Sequence, residues 1–441
     1  MAGMNASRSI LDRVGAAIDK RHGVIVGLVF AVACIFLMVR ALGEPDDRLG
    51  PDGVKYEKLG YEVSTSEALL GCGNFEHAYW SPGWATNVAI VYRLFGRRVT
   101  AVRLFLVLTA LATAFLVYLV ARRTAGRRAA AVAPAFFLFS SLVFRFTGYY
   151  QYEIPLAFLT FSSLSLLLLS GGGRVLVRET CAAASLDEDK QALAWNTALK
   201  GNLYRRAGEA NEDLSGAGAM RILAAGILLG LASMYSPRVL VTVFIAGGCF
   251  YLRGRLALVA KGLLLLAAGI LIVLAPWTIR NYRCFGELIP TTTNGGVNLY
   301  IGNNPHSTGG YSFPPAEARP EHEVWESGKW LGEAIEYIRL HPWRTAGRSI
   351  VKGLVFWNPH YGDQVVILLA FVGGLVRIRK RRIPRRGCGF FWLTALPFAF
   401  MLVHMAFFVQ PRYMLPALPA VAVIAGIGLF GFDRKDRMPE D

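Results

Sequence analysis

The sequence predicts an all-α polytopic membrane protein with about ten transmembrane helices and two outer-face loop regions carrying short interfacial helices. Three observations predict it. Hydrophobic residues make up 54% of the chain and charged residues 17%, which is too little charge to cover a soluble protein of this size. Apolar runs recur along the chain, near the ~20 residues that a helix needs to cross a ~30 Å hydrocarbon core. Basic residues cluster in polar gaps between those runs, the pattern of loops held on the cytoplasmic side of a membrane.

The first apolar run, 23–42, follows a basic amphipathic stretch containing Arg8, Arg13, Lys20 and Arg21. A secretory signal peptide has a shorter apolar region and a small-residue cleavage site. The run therefore reads as a retained signal anchor, with residues 1–22 cytoplasmic. Further spans are predicted at 100–121, 130–147, 154–170, 222–237, 239–252, 262–278, 363–376, 389–409 and 413–431. Several are short for a straight crossing, which predicts tilted or broken helices.

Alternation puts 122–129, 171–221, 253–261 and 377–388 inside, with 433–441 as a cytoplasmic tail. The clusters Arg122-Arg123, Arg127-Arg128 and Arg377 through Arg386 all fall there. The net charge of +17 thus belongs to a membrane surface, and no nucleic-acid-binding motif accompanies it. The inner segment 171–221 carries Gly171-Gly172-Gly173 and Asp187-Glu188-Asp189-Lys190 and reads as a spacer. The membrane domain accordingly runs from 23 to 278, a second outer loop region from 279 to 361, and the last membrane helices from 362 to 432.

Six cysteines show no metal-ligand spacing. Cys34 and Cys249 lie in apolar runs as packing residues. Cys72 and Cys284 both map outside, which leaves a disulfide open to them.

Two outer segments are too long for simple turns. The first, 44–99, begins Glu44-Pro45-Asp46-Asp47 and continues to Asp52, Lys55 and Tyr56. A carboxylate just after a signal anchor is placed to accept the proton of an acceptor hydroxyl at the membrane surface. For Asp46 and Asp47, solvation of a helix end explains the charge as well. His77, in the aromatic segment before Trp84, has no partner at zinc spacing. Glu153 stands at the outer end between two spans, where an acid is costly unless paired or functional. Arg145 is its candidate partner.

The second outer segment carries Arg280 and Arg283 one helical turn apart on the face where the positive-inside tendency disfavours them. Guanidinium groups suit phosphate oxygens. The following run, Thr293 through Pro305, includes Asn303 and Asn304 and offers the small side chains and backbone donors of sugar or phosphate pockets. Asn-Gly also marks ordinary turns. Arg412-Tyr413 again sets a cation at the outer end of a span. Carboxylates and arginines from four distant points thus converge on one side, as an anionic lipid headgroup requires.

The most specific motif is Ala275-Pro276-Trp277-Thr278-Ile279-Arg280-Asn281-Tyr282 with Phe285-Gly286, continued by Asn294-Gly295-Gly296 and Leu299-Tyr300-Ile301-Gly302-Asn303-Asn304-Pro305. Asp52 with Tyr56, Ser81-Pro82-Gly83, the glycines of Ala225 through Leu231, and Arg412-Tyr413 with Pro416 accompany it. At these residues the chain resembles the polytopic lipid-linked glycosyltransferases of the GT-C superfamily. The likeness is to the bacterial branch related to protein O-mannosyltransferases and the lipid A aminoarabinose transferase, and it covers residues 23 to 431.

The resemblance implies an inverting transfer from a polyprenyl-phosphate sugar to a protein, glycan or lipid acceptor at the outer face of the plasma membrane. It implies catalytic roles for Asp52 and Glu153 and donor-phosphate contacts for Lys55, Arg280, Arg283 and Arg412. Tyr56, Asn303, Asn304 and Tyr413 would line the substrate pocket. No resident cofactor is implied, since fixed cations serve the departing phosphate; a divalent ion at Asp52 and Glu153 is the open variant. The chain departs from the family in reading Ser81-Pro82-Gly83 for the usual Pro-Pro-Gly, and in the length of 171–221. The rival reading, a lipid-linked substrate transporter or flippase, predicts mid-membrane ionisable groups and repeat symmetry. No repeat is evident, and Arg103 and His404 are the main candidates for such groups.

Overall fold

The computed structural model describes residues 13–50, 52–65, 78–169, 216–252, 256–311, 323–357, 362–380 and 388–431. His77, Cys72, most of the 171–221 segment and the C-terminal tail lie outside them. Every regular element among the described residues is helical. In chain order these are α1 (His22–Gly43), α2 (Gly53–Thr65), α3 (Pro82–Phe95), α4 (Val99–Ala125), α5 (Arg127–Leu138), α6 (Ser141–Gly148) and α7 (Glu153–Leu169). Then come α8 (Ala217–Tyr235), a 3-10 helix (Pro237–Val241), α9 (Thr242–Leu252), α10 (Leu256–Phe285) and α11 (Gly295–Gly302). The chain ends with α12 (Glu323–Leu340), α13 (Pro342–Trp357), α14 (Gly362–Lys380), α15 (Cys388–Ala406), a second 3-10 helix (Pro411–Ala417) and α16 (Leu418–Phe430).

Among the described residues five helices are long and apolar enough to cross a membrane: His22–Gly43, Val99–Ala125, Ala217–Tyr235, Val259–Phe285 and Pro411–Phe430. The pair α5 and α6, bent by 48°, makes a sixth if it is one broken span. Its bend falls at Ser140, whose extended backbone ends the ladder and whose hydroxyl accepts from Leu142 N at 3.2 Å. The shorter apolar helices Glu153–Leu167, Pro237–Tyr251 and Phe390–Ala406, with α14, fall in the remaining predicted runs. Run length was an uneven guide: the brief runs 222–237 and 262–278 belong to full-length spans, whereas 389–409 holds the shorter helix Phe390–Ala406.

The solvent for the bundle shows in its surface. Val24, Leu28, Val32, Ile35 and Val39 of α1 are all exposed, a stripe that only lipid accommodates. The centre is α16, every residue of which from Leu418 to Ile427 is buried. Helices approach closely through glycine: a methyl group on Gly226 of α8 or Gly269 of α10 would collide with the backbone of the other helix.

Both long connections lie at one end of the bundle and pack on each other. Thr293 N donates to Ala78 O at 3.0 Å and Asn294 Nδ2 to Tyr79 O at 2.9 Å. Cys34 and Cys249 form no disulfide, and Cys284 is disulfide-bonded.

Two expectations are revised. Arg103 is not a mid-membrane group. Its guanidinium stands at the loop end and donates to Gly148 O at 2.9 Å, Glu44 O at 2.5 Å, Pro45 O at 2.8 Å and Arg48 O at 3.2 Å. It also reaches Asp46 Oδ1 at 3.3 Å, so one buried cation knots the start of the first connection. Arg145 is not the partner of Glu153: it lies over the Tyr149 ring at 5.4 Å, and Glu153 finds its counter-charge on the last 3-10 helix.

Candidate active site

Asp52 stands just before α2, held there from two sides. Arg103 knots residues 44–48, and Tyr150 N donates to Leu49 O at 2.8 Å. Gly50 turns the chain between them at φ +86°, a conformation that favours glycine. Glu153 opens α7 and is 1% exposed, beside Gln151, also 1% exposed.

Both acids meet Arg412. Its Nη2 lies 2.9 Å from Asp52 Oδ2, its Nε 3.3 Å from Glu153 Oε1, and Nη1 donates to Gln151 Oε1 at 2.8 Å. A planar guanidinium offers separate edges, so one side chain serves three acceptors where a lysine would serve fewer. Glu153 is nearly inaccessible, whereas the Asp52 side chain keeps 28% of its surface. Asp52 is thus the carboxylate that an incoming group can reach.

Tyr413, next in sequence, carries a second cation. Arg238 lies over its ring at 4.2 Å, and His404 stacks on it at 4.2 Å and 15°. Arg238 sits on the first 3-10 helix, with Nε donating to Ser236 Oγ at 2.7 Å and Nη2 to Tyr152 Oη at 3.4 Å. Its Nη1 is 3.2 Å from His404 Nε2, and His404 Nδ1 is 3.2 Å from Phe408 O. A guanidinium has no acceptor and a carbonyl no donor. The network therefore assigns the proton to Nδ1 and leaves His404 neutral. Among the described residues no carboxylate lies within ion-pair distance of Arg238.

Aromatic rings wall the acids. Tyr56 meets Trp80 edge-on at 5.3 Å and Tyr152 at 5.8 Å. Burial pushes the Tyr56 hydroxyl well above its ordinary value, and the charges of Tyr152, Asp52 and Glu153 add to that. Burial likewise raises Tyr152, against Arg238. Both phenols stay protonated, and Tyr152 Oη accepts from Arg238 Nη2. Lys55 lies one turn from Asp52 and over Trp80 at 5.1 Å.

The other predicted residues fall elsewhere. Arg280 is 2% exposed, faces Trp277 at 4.9 Å, donates to Asn281 Oδ1 at 3.0 Å and feels the charge of Glu323. Glu323 Oε1 in turn accepts from Ala78 N at 2.8 Å and Thr293 Oγ1 at 2.5 Å. Arg280 thus belongs to the seam between the two connections, and Arg283 is exposed beyond it. Asn303 Nδ2 donates to Leu299 O at 2.9 Å and Ala406 O at 2.7 Å. Asn304 Nδ2 donates to Tyr300 O at 2.8 Å, and its Oδ1 accepts from His306 N. Both asparagines brace loops. Buried Lys352, which the sequence reading missed, joins them at 3.4 Å from Asn303 Oδ1 and Met405 O. Arg238 was missed as well, although Ser236-Pro237-Arg238 ends an apolar run as Arg280 does. Among the described residues no three His, Cys, Asp or Glu side chains form a metal-binding group.

Residues 81–171, which include Gln151, Tyr152 and Glu153, match the profile of the dolichyl-phosphate-mannose-protein mannosyltransferase family. No curated protein matches the sequence closely enough to count as a relative. Two solved folds are similar. ArnT from Cupriavidus metallidurans, bound to undecaprenyl phosphate, gives a TM-score of 0.54 at 16% identity, over 91% of this chain and 59% of ArnT. The apo Archaeoglobus fulgidus oligosaccharyltransferase gives 0.52 at 14% identity, over 91% of this chain and 50% of that one. The chain has the GT-C fold. Its GT-C likeness spans nearly all of the present sequence but only about half to three-fifths of those two proteins. Within the GT-C frame, the Asp52–Arg412–Glu153 group lies where the first long connection meets the last 3-10 helix.

Proposed function

We propose that the protein is a membrane glycosyltransferase that moves a sugar, with inversion, from a polyprenyl-phosphate carrier to an acceptor hydroxyl on the non-cytoplasmic face of the plasma membrane. One observation carries the reading. An accessible carboxylate, Asp52, shares Arg412 with a buried one, while Arg238 stands across the Tyr413 ring with no described carboxylate at ion-pair distance. An acid and a cation outside any described ion pair, in one group, suit a phosphate leaving group.

Asp52 orients the acceptor hydroxyl and accepts its proton as the oxygen attacks the anomeric carbon. The bond from that carbon to the phosphate oxygen breaks on the opposite face, and its electron pair stays on the phosphate. Arg238 and Arg412 stabilise the charge that develops there. Glu153 fixes Arg412 from beneath, and Lys55 on Trp80 extends the positive edge towards the headgroup. If a divalent ion enters, Asp52 and Glu153 are the residues that would hold it in place of Arg412. The acceptor, whether protein, glycan or lipid, approaches over the two long connections.

The basic clusters at the opposite end of the bundle support the outer placement of this group. The transporter reading loses its footing, since Arg103 and His404 both stand at the loop end. The test is transfer by the purified full chain in proteoliposomes, with a synthetic polyprenyl-phosphate sugar as donor. Asp52→Asn should abolish transfer while the protein keeps its thermal stability. Full activity of that variant would remove Asp52 from the reaction.

A further inference from the structure

At the end of the bundle opposite the candidate site, α1 and α4 part to leave a groove of about 370 Å³. Gly23 and Gly27 floor it, Phe30 and Phe115 wall it, and His22 and Tyr118 head it. Glycines four apart on a membrane helix ordinarily admit a second helix to close contact. Here they do the opposite. A methyl group on either would meet nothing within 4 Å, so the absent side chains make a trough. From His22 to Phe30 it runs about 12 Å at 1.5 Å per residue, and Phe115 on its wall is 53% exposed.

The head of the trough is polar and positive. His22 Nε2 lies 3.2 Å from Tyr118 Oη and 3.5 Å from Arg122 Nη1. Among the described residues Arg122 has no carboxylate at ion-pair distance, and Asp19 is paired with Arg128 at 2.7 Å. Lys20, Arg21 and Arg123 are exposed around it. A hydroxyl, an imidazole and a guanidinium at the mouth of an apolar channel match a phosphate ester on a hydrocarbon chain.

We propose that this groove is a binding site for one anionic phospholipid of the bilayer, its phosphate at His22, Tyr118 and Arg122 and one acyl chain over Gly23 and Gly27. Charge selects the headgroup and shape selects the chain. The site is independent of the catalytic reading, since none of its residues is near Asp52 in the fold. Bound lipid ties α1 to α4 at the basic end, where the two helices otherwise meet around a void.

The test uses the full chain purified in detergent and largely delipidated. Palmitoyl-oleoyl phosphatidylglycerol should raise the thermal midpoint in a saturable way. The phosphatidylcholine with the same chains should act more weakly, and the matching diacylglycerol and inorganic phosphate should not act at all. Arg122→Gln should weaken the phosphatidylglycerol response by about tenfold or more in midpoint concentration, the worth of one charge-assisted contact. Gly27→Leu, which fills the trough and leaves the head intact, should abolish the response. If Gly27→Leu does not fold, native mass spectrometry of Arg122→Gln serves in its place, with loss of one retained phospholipid expected. Equal responses to phosphatidylglycerol and diacylglycerol would overturn the proposal. So would a response to phosphate alone, unchanged binding in Arg122→Gln, or a dimer formed through α1.

Discussion

The guanidinium of Arg412 meets the buried carboxylate of Glu153 at 3.3 Å. Neither group has much water to fall back on, and the same guanidinium also serves Asp52 and Gln151. Removing one partner of such a pair costs about 3–5 kcal/mol, mostly through the charge left behind. Arg412→Met should therefore lower the thermal midpoint sharply, and Arg412→Met with Glu153→Gln should recover part of the loss. Differential scanning fluorimetry of the single and double variants checks this; additive losses would show that the two residues do not interact.

Arg238 separates binding from chemistry. It makes no ion pair with a described carboxylate, so Arg238→Gln should fold normally. Loss of one donor to developing charge costs about 10²–10³-fold in rate, and a fall of that size in kcat/KM for the lipid donor is expected. A variant with unaltered donor kinetics would move the phosphate away from Tyr413.

Arg103 acts at a distance from the reaction, through the backbone that carries Asp52. A lysine keeps its charge but lacks the fork that reaches four carbonyls. Arg103→Lys should lower kcat with little change in donor KM, and hydrogen exchange should quicken over residues 44–50. Slow exchange in an inactive variant would point to a different role.

Burial pulls the ammonium group of Lys352 down to about 8, with Arg348 adding to the effect. In the unfolded chain it titrates near the ordinary ~10.4. Between about pH 8 and 10.4 the unfolded chain therefore binds the extra proton, and the stability of the α13 region rises with pH across that window. Limited proteolysis between α12 and α13 should slow as pH is raised from 7.5 to 10. Lys352→Met should make the rate independent of pH; a persistent pH dependence would assign it to another group.

The helical membrane architecture was legible because lipid imposes a length and a composition on each crossing helix, and α1, α4, α8 and α10 satisfy both. The breaks were legible only as shortness. Nothing in Phe139-Ser140 announced a 48° bend, which depends on where Ser140 finds its partners. Asp52, Glu153 and Arg412 were legible as costly charges at span ends, yet their meeting was not, because sequence spacing says nothing of which span ends are neighbours. The same criterion misplaced Arg280, whose cost is met by Trp277 and the charge of Glu323. Arg238 met the criterion and was passed over. Asn303 and Asn304 had the composition of a sugar pocket, but their amides are spent on backbone carbonyls.

The ion pair between Glu153 and Arg412 also sets a timetable. The two residues are 412 − 153 = 259 positions apart, and at roughly 5–20 residues per second the ribosome needs roughly 13 to 52 s to supply the second after the first. For that interval Glu153 sits at the head of an inserted helix without its counter-ion. A product truncated before Arg412 would carry an uncompensated acid at the membrane boundary for quality-control proteases to find.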